Sequence, residues 1–175
     1  MFELAYWQNK AAALRLPDQA VIDGQSRAAQ SGQTFAAINP ATGQCLANVA
    51  ACGEEDVDAA VHNARQVFEA GTWAARSPSE RKQVLLRLAD LILAHREELA
   101  LLDSLNMGKP VMDAYNIDVP GAAGVFRWYA ESLDKLYDQV APSAQNVLAT
   151  ITREALGVIA AVVPWNFPLD MAAWK

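Results

Sequence analysis

Between Val158 and Pro168 the chain reads Val-Ile-Ala-Ala-Val-Val-Pro-Trp-Asn-Phe-Pro, and this stretch leaves the backbone few choices. Six apolar residues, three of them valine, suit a short strand buried on both faces, as in a parallel sheet. Pro164 ends such a strand because it has no N–H for a central ladder. Pro168 suits the first position of a following helix, where a missing N–H costs nothing. Phe167 precedes a proline and is biased toward an extended backbone. Trp165, Asn166 and Phe167 are thereby held in a stiff loop at the carboxyl end of a strand, where open α/β sheets bind ligands. Asn166 brings two N–H donors and no charge to that loop, so it suits the stabilisation of an oxyanion without moving a proton. The alternative on the residues alone is an asparagine that caps a turn between two core aromatics.

The rest of the chain narrows the setting. Its 175 residues are enough for one domain with a substantial core, and 53% hydrophobic against 19% charged residues excludes a disordered chain. A formal net charge of −6 disfavours nucleic acid or an anionic membrane as partner. No apolar run reaches the roughly eighteen residues of a transmembrane helix, and Met1-Phe2-Glu3-Leu4 does not open a secretory signal. Cys45 and Cys52 form neither a metal-ligand pattern nor a disulfide framework, so no metal is expected and the setting read is cytoplasmic. One strand with one flanking helix cannot complete a doubly wound sheet, so the chain reads as the front part of a longer protein.

In chain order, residues 4–16 have helical apolar spacing that stops before Pro17. Residues 20–24 run into an Asp23-Gly24 hairpin turn. Residues 34–38 and 45–49 flank Asn39-Pro40-Ala41-Thr42-Gly43 as a second strand–turn–strand. Helices are expected from Glu54 or Asp56 to about Ala70, from a Ser77 cap with Pro78 behind it to about His95, and over 97–105. His62 and His95 read as ordinary surface histidines. Asn106-Met107-Gly108-Lys109-Pro110 breaks the run, with Lys109 read as a cation near the last carbonyls of a helix rather than a phosphate ligand. A further helix spans 120–137. Ala141-Pro142-Ser143 is a linker, and residues 146–154 favour β structure.

Pro164-Trp165-Asn166-Phe167-Pro168-Leu169, followed by Met171-Ala172-Ala173-Trp174-Lys175, closely resembles the signature around the oxyanion asparagine of aldehyde dehydrogenases. Asn39-Pro40-Ala41-Thr42-Gly43 and Gly108-Lys109-Pro110 also match that family's habits, and Leu4-Ala5-Tyr6-Trp7-Gln8-Asn9-Lys10 resembles the opening of its gamma-glutamyl-gamma-aminobutyraldehyde members. The resemblance covers essentially the whole chain. It implies an α/β fold, the amino-terminal part of the aldehyde dehydrogenase fold: a small β-layer, several helices and the first strand of a Rossmann-like parallel sheet. Residues 1–141 would be the amino-terminal part of the NAD-binding domain. Residues 142–156 would be an oligomerisation arm, with a local hairpin as the alternative, and residues 157–175 the first strand and helix of the dinucleotide-binding sheet.

The resemblance also assigns roles. Asn166 would hold the oxyanion together with a cysteine backbone N–H, and Lys175 would assist proton movement and cofactor geometry. Val162, Val163, Pro164, Trp165 and Asn166 would line the site of NAD or NADP. Phe167, Asp170, Met171 and Trp174, spaced i, i+3, i+4 and i+7, would line the aldehyde's passage. The implied reaction is oxidation of an aldehyde, in particular an aminoaldehyde, to a carboxylic acid by an oligomeric enzyme. Neither Cys45 nor Cys52 aligns with the family's nucleophile, and the general-base glutamate is not matched either. The 175 residues alone are therefore expected to be inactive. The rival reading is a non-catalytic remnant or assembly module that retains the family's packing surface. Two departures stand out: Glu154-Ala155-Leu156-Gly157 lacks the proline usual at its second position, and Asp170 replaces an apolar or amide residue. A carboxylate in the passage favours a cationic substrate end; in the first turn of a helix it also favours the dipole without any ligand.

Overall fold

The computed structural model describes residues 3–175. Helix α1 (Leu4–Ala13) is followed by two antiparallel ribbons, β1 (Ala20–Ile22) with β2 (Gln25–Arg27) and β3 (Thr34–Ile38) with β4 (Cys45–Ala50). Asp23 and Gly24 both take positive φ, 55° and 67°, the backbone that a two-residue hairpin needs to follow strand twist. Helix α2 (Glu54–Glu69) is capped by Asp56, which accepts from the Gly53 N–H and also from the Gln30 N–H, both at 3.0 Å. That second bond ties the loop after β2 to the helix and explains a buried carboxylate there. Helix α3 (Pro78–Ala94) opens on the expected Ser77 cap, which the structure completes as a capping box: the Ser77 N–H donates to Glu80 Oε2 and the Glu80 N–H donates to Ser77 Oγ.

Helix α4 (Arg96–Met107) leads to a helical stretch made of α5 (Val111–Asp113), a π-helical segment (Ala114–Asp118) and α6 (Val119–Ser132). The sequence places the start of this helix at Pro120, but it begins at Val111. Pro120 has no N–H and would crowd the carbonyl four residues back, and the π segment just before it opens the ladder enough to absorb it. The far end also comes early, at Ser132 rather than Tyr137. Ser132 Oγ donates to the Trp128 carbonyl at 2.9 Å and Lys135 Nζ to the Glu131 carbonyl at 2.6 Å, satisfying the last turn with side chains. Helix α1 stops at Ala13, three residues short of the sequence expectation, where Leu14 turns extended ahead of Pro17.

The core lies where α3, α4 and α6 meet. Ala89, Ala100, Ala114 and Val119 are fully buried there, with Ile92 and Ala123 beside them and Leu169 packed on the edge. Alanine on facing helices lets the backbones approach closely, so Val119 is the largest side chain fully enclosed. Helix α1 is fastened to α4 by Tyr6 Oη donating to Glu97 at 2.6 Å and by the Lys10–Glu97 ion pair at 2.7 Å.

Residues 139–151 form a third ribbon, β5 (Gln139–Ala141) with β6 (Ala149–Ile151), so Ala141 is a strand residue rather than linker. Its apolar side chains Val140, Leu148 and Ile151 are exposed. The run 158–163 departs from the expected strand. It has no ladder partner among the described residues, and Val162 is 92% exposed. A parallel strand exists only through its neighbours, and every strand described here is committed to an antiparallel ribbon elsewhere. The run is steered past α2 by Gly157 at φ 107°, where a Cβ would sit 3.3 Å from the Arg65 guanidinium and 3.4 Å from the Phe68 ring. Helix α7 (Pro168–Trp174) follows, with Pro168 in its first turn as expected, and docks on α6.

Candidate functional site

The end of α4 delivers a lysine to the asparagine loop. Gly108 closes the helix in the left-handed region at φ 82°, and a Cβ there would come 3.0 Å from the Pro40 ring, so glycine is required twice over. The chain then turns Lys109 inward, its side chain only 12% exposed. Its ammonium donates to the carboxylate of Asp118, at the end of the π segment and 3% exposed, and to the backbone carbonyl of Asn166 at 2.8 Å. It also lies 3.7 Å from the centroid of the Phe167 ring. The reading of Lys109 as a cation on the last carbonyls of α4 is therefore wrong. Asp118 and the Asn166 carbonyl, distant in sequence, outcompete the local helix end because they offer a buried charge and a free carbonyl together.

Asp103, one turn before the end of α4, stands beside this cluster. Burial first, and then the nearby Asp118 carboxylate, push its carboxyl up to about 6, with Lys109 pulling the other way. Its Oδ2 is buried without a hydrogen-bond partner among the described residues. Folding thus favours the protonated acid, and the sign follows. Below the unfolded value of 3.8 both states hold the proton; as pH rises to about 6 the unfolded chain releases it first and stability falls. Asp103→Asn is expected to be the more stable form above pH 6, by on the order of 1–2 kcal/mol after discounting for solvent screening. Urea unfolding at pH 4 and pH 7.5 checks this; a gap of equal size at both values defeats it.

Asn166 sits at an exposed turn, and among the described residues nothing hydrogen-bonds its carboxamide. The loop is thus held through its main chain while the side chain stays available. Val162 and Trp165 are exposed, Trp165 at 76%, so the apolar edge expected to face a cofactor is uncovered. Such an edge fits one wall of a nicotinamide site, and no phosphate-binding loop accompanies it.

The stripe Phe167, Asp170, Met171 and Trp174 divides between two neighbours. Phe167 turns to Lys109. Asp170 Oδ1 lies 3.4 Å from the point a Cβ on Gly121 would occupy, and Trp174 faces a groove formed by Gly121, Gly124, Val125, Trp128 and Tyr129 of α6. Met171 is half-buried between these directions. Lys175 is exposed, and no contact joins it to Asn166 among the described residues. Cys45 and Cys52 are free and exposed, with Cys45 Sγ donating to the Ala47 carbonyl. His62 and His95 are both exposed, as expected. No cluster of metal-ligating side chains occurs among the described residues.

Lys109, Asp118 and Asp103 are the residues that sequence reasoning missed. The only signal for the first pair was a lysine after a helix-ending glycine with an aspartate nine residues on, a spacing that matches no helical or strand period.

Comparison with known proteins places this geometry. The aldehyde dehydrogenase family model matches residues 27–175. An aminoacetaldehyde dehydrogenase of Pseudomonas aeruginosa is 52% identical over 165 residues, covering 94% of this chain and 33% of that protein. The NADP/NAD-dependent aldehyde dehydrogenase PuuC of Escherichia coli is 49% identical over 172 residues, covering 98% of this chain and 35% of that protein. The crystal structure of gamma-glutamyl-gamma-aminobutyraldehyde dehydrogenase from Burkholderia cenocepacia superposes with a TM-score of 0.97 at 52% identity, over 99% of this chain and 35% of that one. An indole-3-acetaldehyde dehydrogenase of P. syringae, in complex with NAD+, superposes equally well at 45% identity. The chain spans about a third of the length of these relatives. Both its sequence over 27–175 and its fold are those of the aldehyde dehydrogenase family, to which the chain belongs.

Proposed function

We propose that this segment serves an enzyme that oxidises an aldehyde, in particular one with a cationic amino end, to a carboxylic acid with NAD or NADP. The observation that carries the reading is the Asn166 loop: its main chain is held by a buried ammonium while its carboxamide is left unbonded. A preorganised amide donor with no competing partner is what a developing oxyanion requires. A bound nicotinamide supplies the hydride acceptor; Val162 to Trp165 supply one apolar wall for it. Lys175, exposed one turn beyond Asp170, is assigned the assisting role toward proton and cofactor. The nucleophile and the base are assigned to the part of the relatives' length that this chain does not span, since neither Cys45 nor Cys52 matches the position of the family's nucleophile. On this reading the 175 residues alone do not turn over aldehyde.

The amino preference rests on the groove between α6 and α7. Asp170 is the carboxylate beside Gly121, and Trp174 is the aromatic face exposed along the same wall. Relatives from the comparison carry the names of aminoaldehyde-oxidising enzymes, which agrees with this chemistry. The exposed apolar ribbon β5–β6 supports an arm that pairs with a further copy of the chain.

The test compares the complete protein with its Asp170→Leu variant on an aminoaldehyde and on an uncharged aldehyde of similar length. Loss of the charge pair and its cation–π neighbour is expected to cost the amino substrate about 1–2 kcal/mol, or roughly five- to thirtyfold in kcat/KM. The uncharged substrate should change little, and the difference should shrink at high salt. Equal losses on both substrates leave Asp170 as a residue that only complements the α7 dipole. A complete protein with no aldehyde-dependent cofactor reduction returns the remnant reading instead.

A further inference from the structure

We propose that Lys109 is the positioning residue of the oxyanion loop: its ammonium, braced by Asp118, fixes the Asn166 backbone and so aims the Asn166 amide. The inference rests on the aldehyde-oxidising reading of Asn166. Three observations carry it. The first is geometric: the Lys109 ammonium reaches the carbonyl of Asn166 itself, at 2.8 Å, rather than any residue further along the loop. The second is enclosure. With 12% of the Lys109 side chain and 3% of the Asp118 side chain exposed, the ion pair is shielded from water, so the ammonium is firmly held where it meets the Asn166 carbonyl at its exposed turn. The third is the Phe167 ring, 3.7 Å from the same ammonium, so the cation contacts both residues that flank the 166–167 peptide.

The loop has little else to hold it. Trp165 is 76% exposed, and the run before it makes no ladder among the described residues. Its downstream end is the first turn of α7, and among the described residues its one side-chain hydrogen bond is from the lysine. The brace is carried by parts of the fold that share no sequence neighbourhood. Gly108 at φ 82° turns Lys109 inward from α4, and the π segment before Pro120 ends on Asp118. Both are backbone departures from regular helix, and they converge on one carbonyl. Effective oxyanion stabilisation needs a donor held within a fraction of an ångström, and a supporting side chain that acts through the main chain provides that.

The experiment is a double-mutant cycle in the complete enzyme. Lys109→Met combined with Asp118→Asn removes the two charges together, so neither member of the pair is left as an unpaired ion. Lys109→Arg is the second probe: it keeps a cation beside Asp118, and with it the fold, while changing the donor's reach. Each is measured with Asn166 present and in the Asn166→Ala background, together with a thermal melt. The expected result is a tenfold or larger loss of kcat in the parent, aldehyde KM within twofold, and a loss under twofold once Asn166 is gone. Full-sized losses in both backgrounds, or parent-like kcat in both probes, overturn the inference. Asn166→Ala without an effect of its own would instead sink the oxyanion reading, so the two failures are distinguishable.

Discussion

Replacing Asn166 by alanine in the complete enzyme is expected to lower kcat by about a hundredfold to a thousandfold, the scale of losing one oxyanion donor, or roughly 3–4 kcal/mol of transition-state stabilisation. The loss should fall on kcat and kcat/KM alike, because the interaction forms only as the carbonyl oxygen takes on charge. Cofactor binding should stay within a few-fold of the parent, since on the proposed reading Asn166 adds only the edge of a wall assigned chiefly to Val162, Val163 and Trp165. Folding should be nearly indifferent as well. The Asn166 side chain is exposed and the loop is held through the 166 carbonyl, which alanine retains. Single-turnover measurement of cofactor reduction is the check. Unimpaired hydride transfer in the variant would remove the oxyanion role, whatever its steady-state rate.

How much of this was legible beforehand depended on the range of the determining forces. Asp23-Gly24, the Ser77 cap, Gly108 and Pro168 are local devices whose chemistry is complete within four residues, and each appears where the sequence places it. The π segment was not legible: Pro120 signals a helix start by its missing N–H, but here the helix continues through it because the ladder widens first. The run 158–163 shows the opposite limit. Its composition leads to the expectation of a buried strand, but burial and ladder both depend on chain that lies beside it in space, and none of the described strands is available. The candidate site divides in the same way. Asn166 is singled out by the prolines that flank it, whereas Lys109, Asp118 and Asp103 come together only through tertiary packing of α4 against the π segment.

That packing sets the largest stability effect expected of a single substitution at the site. Lys109→Met preserves length and apolar stem but leaves the Asp118 carboxylate buried with no counter-charge, and leaves the Asn166 carbonyl without its donor. The attraction within a buried pair does little more than repay desolvation, so the pair as a whole adds little. Removing one partner exposes the full cost of the other. The expected loss is about 3–5 kcal/mol. Asp103 worsens it, because Lys109 is the group that holds that carboxyl down against burial and Asp118. Adding Asp118→Asn should return most of the loss: the asparagine is neutral, nearly isosteric, and able to donate to Asp103 or accept from the backbone. The single variant should therefore be much less stable than the double one, an ordering that a model of additive contacts does not give. Urea unfolding of the parent and both variants at one pH measures it. A Lys109→Met protein within about 1 kcal/mol of the parent would mean that the pair is hydrated in solution, and that the loop is held by the packing of Phe167 and Leu169 rather than by charge.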